Sequence, residues 1–389
     1  MKKIYLDNAA TTQVDERVLK SMLPYFNEEF ANPHAVHSAG QSALDAIEKS
    51  RETVAKFFNC DDQEIIFTAG ATEGNNIAIQ GILKNLKDKK IHIICSAIEH
   101  PAVLETCKEM KKRGVELDLA PVDENGVVKL DKLKGLIKDN TVLVSVMYAN
   151  NEVGSVQSIE EIGGIVQLEK EKRGNKLPIY FHTDAVQAVN YLDCDVKKLN
   201  CDILTMSGHK INGPKGTGAM YLRKGVKLSP ILFGGHQEFG IRPGTANVPG
   251  IVGLAKAIEL ISTEGISNCT KVKKIRDKLV KEISKIENIK INCDLDNSLP
   301  NILNVSFLKA EGESILMMLD MEGIAISTGS ACSSGSLDPS HVLMAMGRKP
   351  EWSHGSIRIS LSKFNSEIEV TVFMKALNII IEKLRKMAP

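Results

Sequence analysis

Asp202-Ile203-Leu204-Thr205-Met206 is a short, mostly apolar run that passes directly into Ser207-Gly208-His209-Lys210 and then into the turn Gly213-Pro214-Lys215-Gly216. A strand-length run ending in a glycine-punctuated polar cluster is the signature of a buried strand whose carboxyl end carries function. The same sequence of events recurs on both sides. Glu64 to Thr68, Ile91 to Ser96, Thr141 to Met147, Pro178 to His182 and Gly218 to Leu222 are the other candidate strands, with helical patterns between them. That alternation from about residue 60 to 225 predicts an α/β fold with a mainly parallel sheet wrapped by helices. In such a sheet ligands collect just beyond the carboxyl ends of the strands, so polar clusters far apart in sequence are expected to converge on one site.

At 389 residues the chain exceeds the size at which one hydrophobic core stops growing, and two domains are expected. After Val248-Pro249-Gly250 the texture changes to a long helical stretch through about Lys285, followed by further strands and helices, which reads as a smaller α+β domain. A Ser/Gly-rich loop at about 327–336, Ser327-Thr328-Gly329-Ser330-Ala331-Cys332-Ser333-Ser334-Gly335-Ser336, interrupts it with too little apolar content to pack. Lys plus Arg number 49 against 48 Asp plus Glu, so no net field points to nucleic acid or to an anionic membrane surface. No apolar run of signal-peptide or membrane-spanning length is present. Cytoplasmic placement follows, and with it reduced cysteines. The eight cysteines include no C-x-x-C pair, so neither a disulfide framework nor a resident metal is expected. Most stand in apolar surroundings, as in Ile93-Ile94-Cys95, and read as small buried hydrophobes. Cys332, in the Ser/Gly loop, is the exception.

Lys210 lies at a strand end flanked by glycines, which let a flat ligand approach the backbone, and this suits a Schiff base to an aldehyde cofactor. Lys215, in its Pro-Lys-Gly turn, is the rival lysine. Thr68-Ala69-Gly70-Ala71-Thr72-Glu73 passes from a strand end into a helix start, where free N–H groups and the Thr72 hydroxyl make a phosphate site; an ordinary N-cap threonine has the same look. In Thr183-Asp184-Ala185-Val186-Gln187, Asp184 can pair with a pyridine nitrogen so that the ring accepts electrons, and Gln187 can donate to a ring oxygen. A helix cap is the plainer reading of Asp184. Glu99-His100 offers an imidazole to stack on the ring and relay protons. Asn150-Asn151-Glu152-Val153-Gly154 offers two amides, although asparagine also favours turns for backbone reasons.

Tyr5-Leu6-Asp7-Asn8-Ala9-Ala10-Thr11-Thr12, Gly70-Ala71-Thr72-Glu73, Asn150-Asn151-Glu152-Val153-Gly154, Ser207-Gly208-His209-Lys210 and Gly329-Ser330-Ala331-Cys332 occur in the order found in the class I cysteine desulfurases. The resemblance to this family, the NifS/IscS group, spans essentially the whole chain. Its long cysteine loop, followed by Asp338-Pro339-Ser340-His341-Val342, resembles class I and not class II. The resemblance implies the aspartate-aminotransferase fold, fold type I, with an N-terminal arm over 1–12 packing on the smaller domain. A large cofactor-binding domain over 13–255 and a small domain over 256–389 complete the expected division. It implies pyridoxal 5'-phosphate as cofactor, L-cysteine as substrate, L-alanine as product and a homodimer with shared active sites. Motif by motif it assigns the phosphate to Ala71, Thr72, Ser207 and His209, with Thr245 reaching in from the partner subunit. Asn151 and Gln187 are assigned to the ring oxygen, Asp184 to the ring nitrogen, His100 to the ring face and Lys210 to the covalent link. Arg358, with Asn151, is assigned to the substrate carboxylate, which a guanidinium fork suits on independent grounds. Cys332 takes the sulfur as a persulfide and could transiently ligate a cluster iron.

The chain departs from the family pattern at Ala31, at Gly74 and at Leu361-Ser362-Lys363-Phe364. It also ends at Met387-Ala388-Pro389, without the tail that IscS-type members use to dock a scaffold, which leaves the sulfur acceptor, an iron-sulfur scaffold or another thiolation partner, open. A selenocysteine lyase or an aminotransferase would use the same Lys210 and Asp184, but an aminotransferase has no use for a loop thiol. A non-catalytic sulfur carrier that kept the fold is the remaining alternative.

Overall fold

The computed structural model describes residues 3–86, 90–174, 176–328 and 339–387. Its strands are β1 (Ile4–Tyr5), β2 (Ile65–Thr68), β3 (His92–Ser96), β4 (Glu116–Ala120), β5 (Thr141–Ser145), β6 (Tyr180–Asp184), β7 (Ile203–Ser207), β8 (Gly218–Leu222), β9 (Ile289–Ile291), β10 (Ile302–Phe307), β11 (Ile324–Ala325) and β12 (Ser356–Ser360). Seven of them form one sheet in the order β2-β8-β7-β6-β5-β3-β4. Within it β8 runs antiparallel to both neighbours, and the other pairings are parallel. Successive residues of a strand face opposite sides, and both sides are covered. Ile94, Val144 and Leu204 join the core on one face, while Ile93, Leu143 and Ile203 join the core on the other. Burial on both faces explains why these strands read as continuous apolar runs and not as alternating ones.

A second sheet, β12-β10-β9, is antiparallel and has its own core around Phe307, Ile357, Ile359 and Phe373. The helix Val248–Ile283 joins the two regions over 36 residues. Asn247 caps it by accepting from the Gly250 N–H at 3.1 Å, and Pro249 sits in its first turn, where no donor is needed. Its first half sends Ile251, Leu254 and Ile258 into the core of the large sheet. Its second half sends Val272, Ile275 and Leu279 into the core of the small one. The N-terminal segment is a second tie. β1 pairs in parallel with β11, the Ala9 N–H donates to Ser360 Oγ at 2.8 Å, and the Thr12 N–H and hydroxyl both donate to the His209 carbonyl at 2.9 Å. The segment thus runs from the small sheet across the loop that carries Lys210.

Three elements differ from the sequence expectation, and two of the differences have plain causes. β4, Glu116-Leu117-Asp118-Leu119-Ala120, was not among the expected strands because it lies at the sheet edge and is half exposed, so its composition alternates. β6 begins at Tyr180 and not at Pro178, since a proline has no N–H to give a central strand. It also runs two residues further than expected, so Asp184 is the last residue of the strand and not part of a following turn. β5 ends at Ser145, and Val146 to Asn150 lead on into the turn beyond it. Among the described residues no helix is long and apolar enough to cross a membrane.

Candidate active site

The carboxyl ends of β2, β3, β5, β6 and β7 open onto a cavity of about 940 Å³. Ala71, Thr72, His100, Asn151, Asp184, Gln187, Ser207, His209, Lys210 and Arg358 all line it, as does the rival Lys215. Two candidates stand apart. Thr245 is exposed and is not on the wall of this cavity, and Cys332 lies outside the described residues.

The helix Ala71–Lys84 starts at the cavity edge with Gly70 as its cap. The Gly74 N–H makes the first intrahelical bond, to the Gly70 carbonyl at 3.1 Å, so the N–H groups of Ala71, Thr72 and Glu73 precede the ladder, as at any helix start. Ser207 adds a hydroxyl from the end of β7; a Cβ placed on Gly70 would lie 3.6 Å from its Oγ. The strand ends are held this close by Gly218, where a Cβ would come within 2.5 Å of the Met206 carbonyl and 2.8 Å of Gly70 Cα. His209 Nδ1 lies 3.1 Å from Thr11 Oγ1. Burial, followed by the charges of Lys210 and Lys215, pushes its ring down to about 4, so the imidazole is neutral.

Lys210 Nζ donates to the carbonyls of Ala9 and, at 2.8 Å, Ala10, and Gln187 Nε2 donates to the same Ala9 carbonyl at 3.1 Å. The N-terminal segment therefore forms one wall of the site. Asp184 accepts from the Val186 N–H at 3.0 Å and from Asn75 Nδ2 at 2.7 Å. His100 accepts a bond from the Ala102 N–H on Nδ1 at 3.1 Å, which leaves Nε2 to carry the hydrogen and to exchange it. Burial lowers its pKa, with Asp184 acting in the opposite direction. Arg358 is buried; it donates to the Asn151 carbonyl and to Asp7 Oδ1, both at 2.9 Å, while its Nε has no partner among the described residues.

Asn150 and Asn151 now separate. Asn150 is a turn residue: its Oδ1 accepts from the Glu152 and Val153 N–H groups and its Nδ2 donates to the Ile98 carbonyl. Asn151 borders the cavity. Behind the wall, burial drives Glu99 up to about 8 and Glu152 up to about 7. Glu99 Oε1 accepts from Ser96 Oγ at 2.5 Å and from the Met147 N–H at 2.7 Å.

The loop that contains Cys332 is tied to the site on both flanks. Ser327 and Arg358 exchange backbone hydrogen bonds at 3.2 and 2.7 Å. On the other flank Ser340 Oγ donates to Glu152 Oε2 at 2.5 Å, and His341 Nε2 lies 3.0 Å from the Glu99 carbonyl.

Sequence reasoning missed Asn75, Thr205 and the Asp7–Arg358 pair. Asn75 could have been suspected as a polar residue on the inward face of a helix that otherwise buries Ile77, Ala78 and Ile79. The ion pair joins residues 351 positions apart and leaves no local mark.

The class-V aminotransferase family matches residues 4–373. A cysteine desulfurase IscS of Methanosarcina thermophila is 47% identical over 388 residues, covering 100% of this chain and 94% of that protein. Among solved structures, a NifS-like protein superposes with a TM-score of 0.91 at 41% identity, covering 98% of this chain and 100% of its own. SspA in complex with cysteine superposes with a TM-score of 0.82 at 36% identity, covering 93% and 100%.

Proposed function

We propose that this chain, which belongs to the class-V aminotransferase family and within it to the pyridoxal-phosphate-dependent cysteine desulfurases, takes the sulfur of L-cysteine onto Cys332 as a persulfide and releases L-alanine. The observation that carries the reading is the meeting of Lys210, Asp184, His100 and Arg358 at one cavity, beside a helix start with three N–H groups ahead of its ladder.

The donor set fits the cofactor. A phosphate finds the helix start, Ser207 and Thr72; a ring nitrogen finds the Asp184 carboxylate; an aldehyde finds the Lys210 amine. When bound, the cofactor supplies an electron sink for the bonds broken at the substrate. The chain supplies the rest. Arg358, on the cavity wall, binds the substrate carboxylate, which its guanidinium fork suits. Lys210 holds the cofactor, then moves the proton from the substrate α-carbon, with His100 Nε2 assisting. The Cys332 thiolate attacks the substrate sulfur. A sulfur–sulfur bond forms as the carbon–sulfur bond breaks, and the carbon skeleton takes up protons to leave as alanine. Anchoring of both loop flanks to Arg358, Glu152 and Glu99 supports delivery of this thiol to the cavity.

The division into a large domain over 13–255, a small domain over 256–389 and an arm over 1–12 belongs to the same proposal, as does a homodimer in the cytoplasm. Thr245, exposed here, would complete the phosphate site of the partner subunit. The persulfide then serves an iron-sulfur scaffold or another thiol acceptor. Assaying alanine and sulfide release from L-cysteine with a reductant tests the reading: equal yields of both are expected, and pyruvate with sulfide in place of alanine, or a transamination product without sulfide, would overturn it.

A further inference from the structure

Asp184 is held from two sides. One carboxylate oxygen accepts from the Val186 N–H at 3.0 Å, an ordinary local turn bond. The other accepts from Asn75 Nδ2 at 2.7 Å, across 109 residues of sequence. Asn75 Oδ1 in turn accepts from Thr205 Oγ1 at 2.5 Å. Asn75 and Thr205 are both 0% exposed, and Thr205 on β7 is the register partner of Asp184 on β6. The helix bearing Asn75 comes this close to β7 because residue 74 is glycine: a Cβ there would lie 3.1 Å from Thr205 Cγ2.

A core has no need of this pair. Two buried, mutually bonded polar groups can be exchanged for apolar groups of the same shape at little net cost. What the pair does provide is direction. An ionised carboxylate only accepts, so the amide must turn its NH₂ to Asp184; the amide oxygen is then left facing Thr205, and that hydroxyl must donate. Each donor is aimed, and each has one acceptor.

We infer that the buried Thr205–Asn75 pair is a positioning relay that fixes the Asp184 carboxylate in the orientation that meets the ring nitrogen of the cofactor. The inference rests on the assignment of Asp184 proposed above. Asn75 is among the residues that border the cavity, but it is 0% exposed, and in the relay both residues act through Asp184.

The test is cofactor affinity, read by absorbance on the full chain stripped and reloaded. Each protein is titrated with pyridoxal phosphate and with its carbocyclic analogue, in which C–H replaces the ring nitrogen. Asn75→Asp sets an acceptor against an acceptor. It should weaken pyridoxal phosphate binding by about tenfold to a hundredfold and leave binding of the analogue at the wild-type level. Thr205→Val, the same shape without the hydroxyl, should show the same selective loss to a smaller degree, and Thr205→Ser should restore wild-type binding. If Asn75→Asp does not fold, the Thr205 pair decides the question alone. Equal loss of both ligands, or no loss of either, overturns the relay. Asp184→Asn separates the two levels. If it discriminates between the ligands while the relay variants do not, only the relay fails; if it does not discriminate, the assignment of Asp184 fails and the relay with it.

Discussion

Replacing Glu99 with glutamine should make the protein more resistant to unfolding as pH rises, by an amount that can be worked from its surroundings. Burial, with a smaller push from the charge of Asp184, carries the carboxyl up to about 8 from an ordinary 4.5, against the hydrogen bonds from Ser96 and Met147. Between those values the unfolded chain has released the proton and the folded chain still holds it. The folded state binds more protons, so stability falls as pH rises through this window. At about 1.4 kcal/mol per pH unit, the full interval amounts to roughly 5 kcal/mol. Interiors relax as charge appears, which brings the expected figure to about 2–4 kcal/mol. Glutamine keeps an oxygen for Ser96 and Met147 and has no proton to lose. His182, pushed down to about 4 by burial, contributes stability that is complete above 6.5 and is lost as pH falls through 4. It lies on the acid side and cancels between wild type and variant. Thermal midpoints should coincide near pH 5 and separate by about 2–8 °C in favour of Glu99→Gln near pH 8.5, taking roughly 1–2 °C per kcal/mol for a chain of this length. A separation that is constant with pH, or that closes toward alkaline pH, would refute the buried-carboxyl reasoning.

Lys210→Ala should abolish fixation of the cofactor by borohydride; fixation that persisted at Lys215 would transfer the covalent role to that residue. Mixing inactive Lys210→Ala chains with impaired Thr245→Ala chains should restore one sound site per heterodimer, and no recovery after verified subunit exchange would count against a shared site.

Much of this arrangement was legible in the sequence because burial on both faces leaves long apolar runs, and the polar clusters at their carboxyl ends stand out against them. Ile203 to Ser207 and its glycine-flanked lysine are the clearest case. Edge geometry hid β4, whose alternating Glu-Leu-Asp-Leu reads as surface. Hydrogen-bond partners were hidden for a different reason: the apolar pattern of its helix can place Asn75 inward, but nothing in it says which groups the amide meets there, and nothing local links Arg358 to Asp7. The same ambiguity held at Asn150-Asn151, where only the turn bonds of Asn150 separate a structural asparagine from one bordering the cavity. Thr245 carries no mark of its own, since its proposed partners lie on another subunit.

The most direct test follows the sulfur. Wild-type protein exposed briefly to L-cysteine and then digested should carry one additional sulfur on the peptide containing Cys332 and on no other cysteine peptide at comparable yield, and Cys332→Ala should fold, bind the cofactor and fail to release sulfide. A Cys332→Ala protein that kept full turnover, or an additional sulfur found first on a buried residue such as Cys95 or Cys201, would contradict direct attack by this thiol.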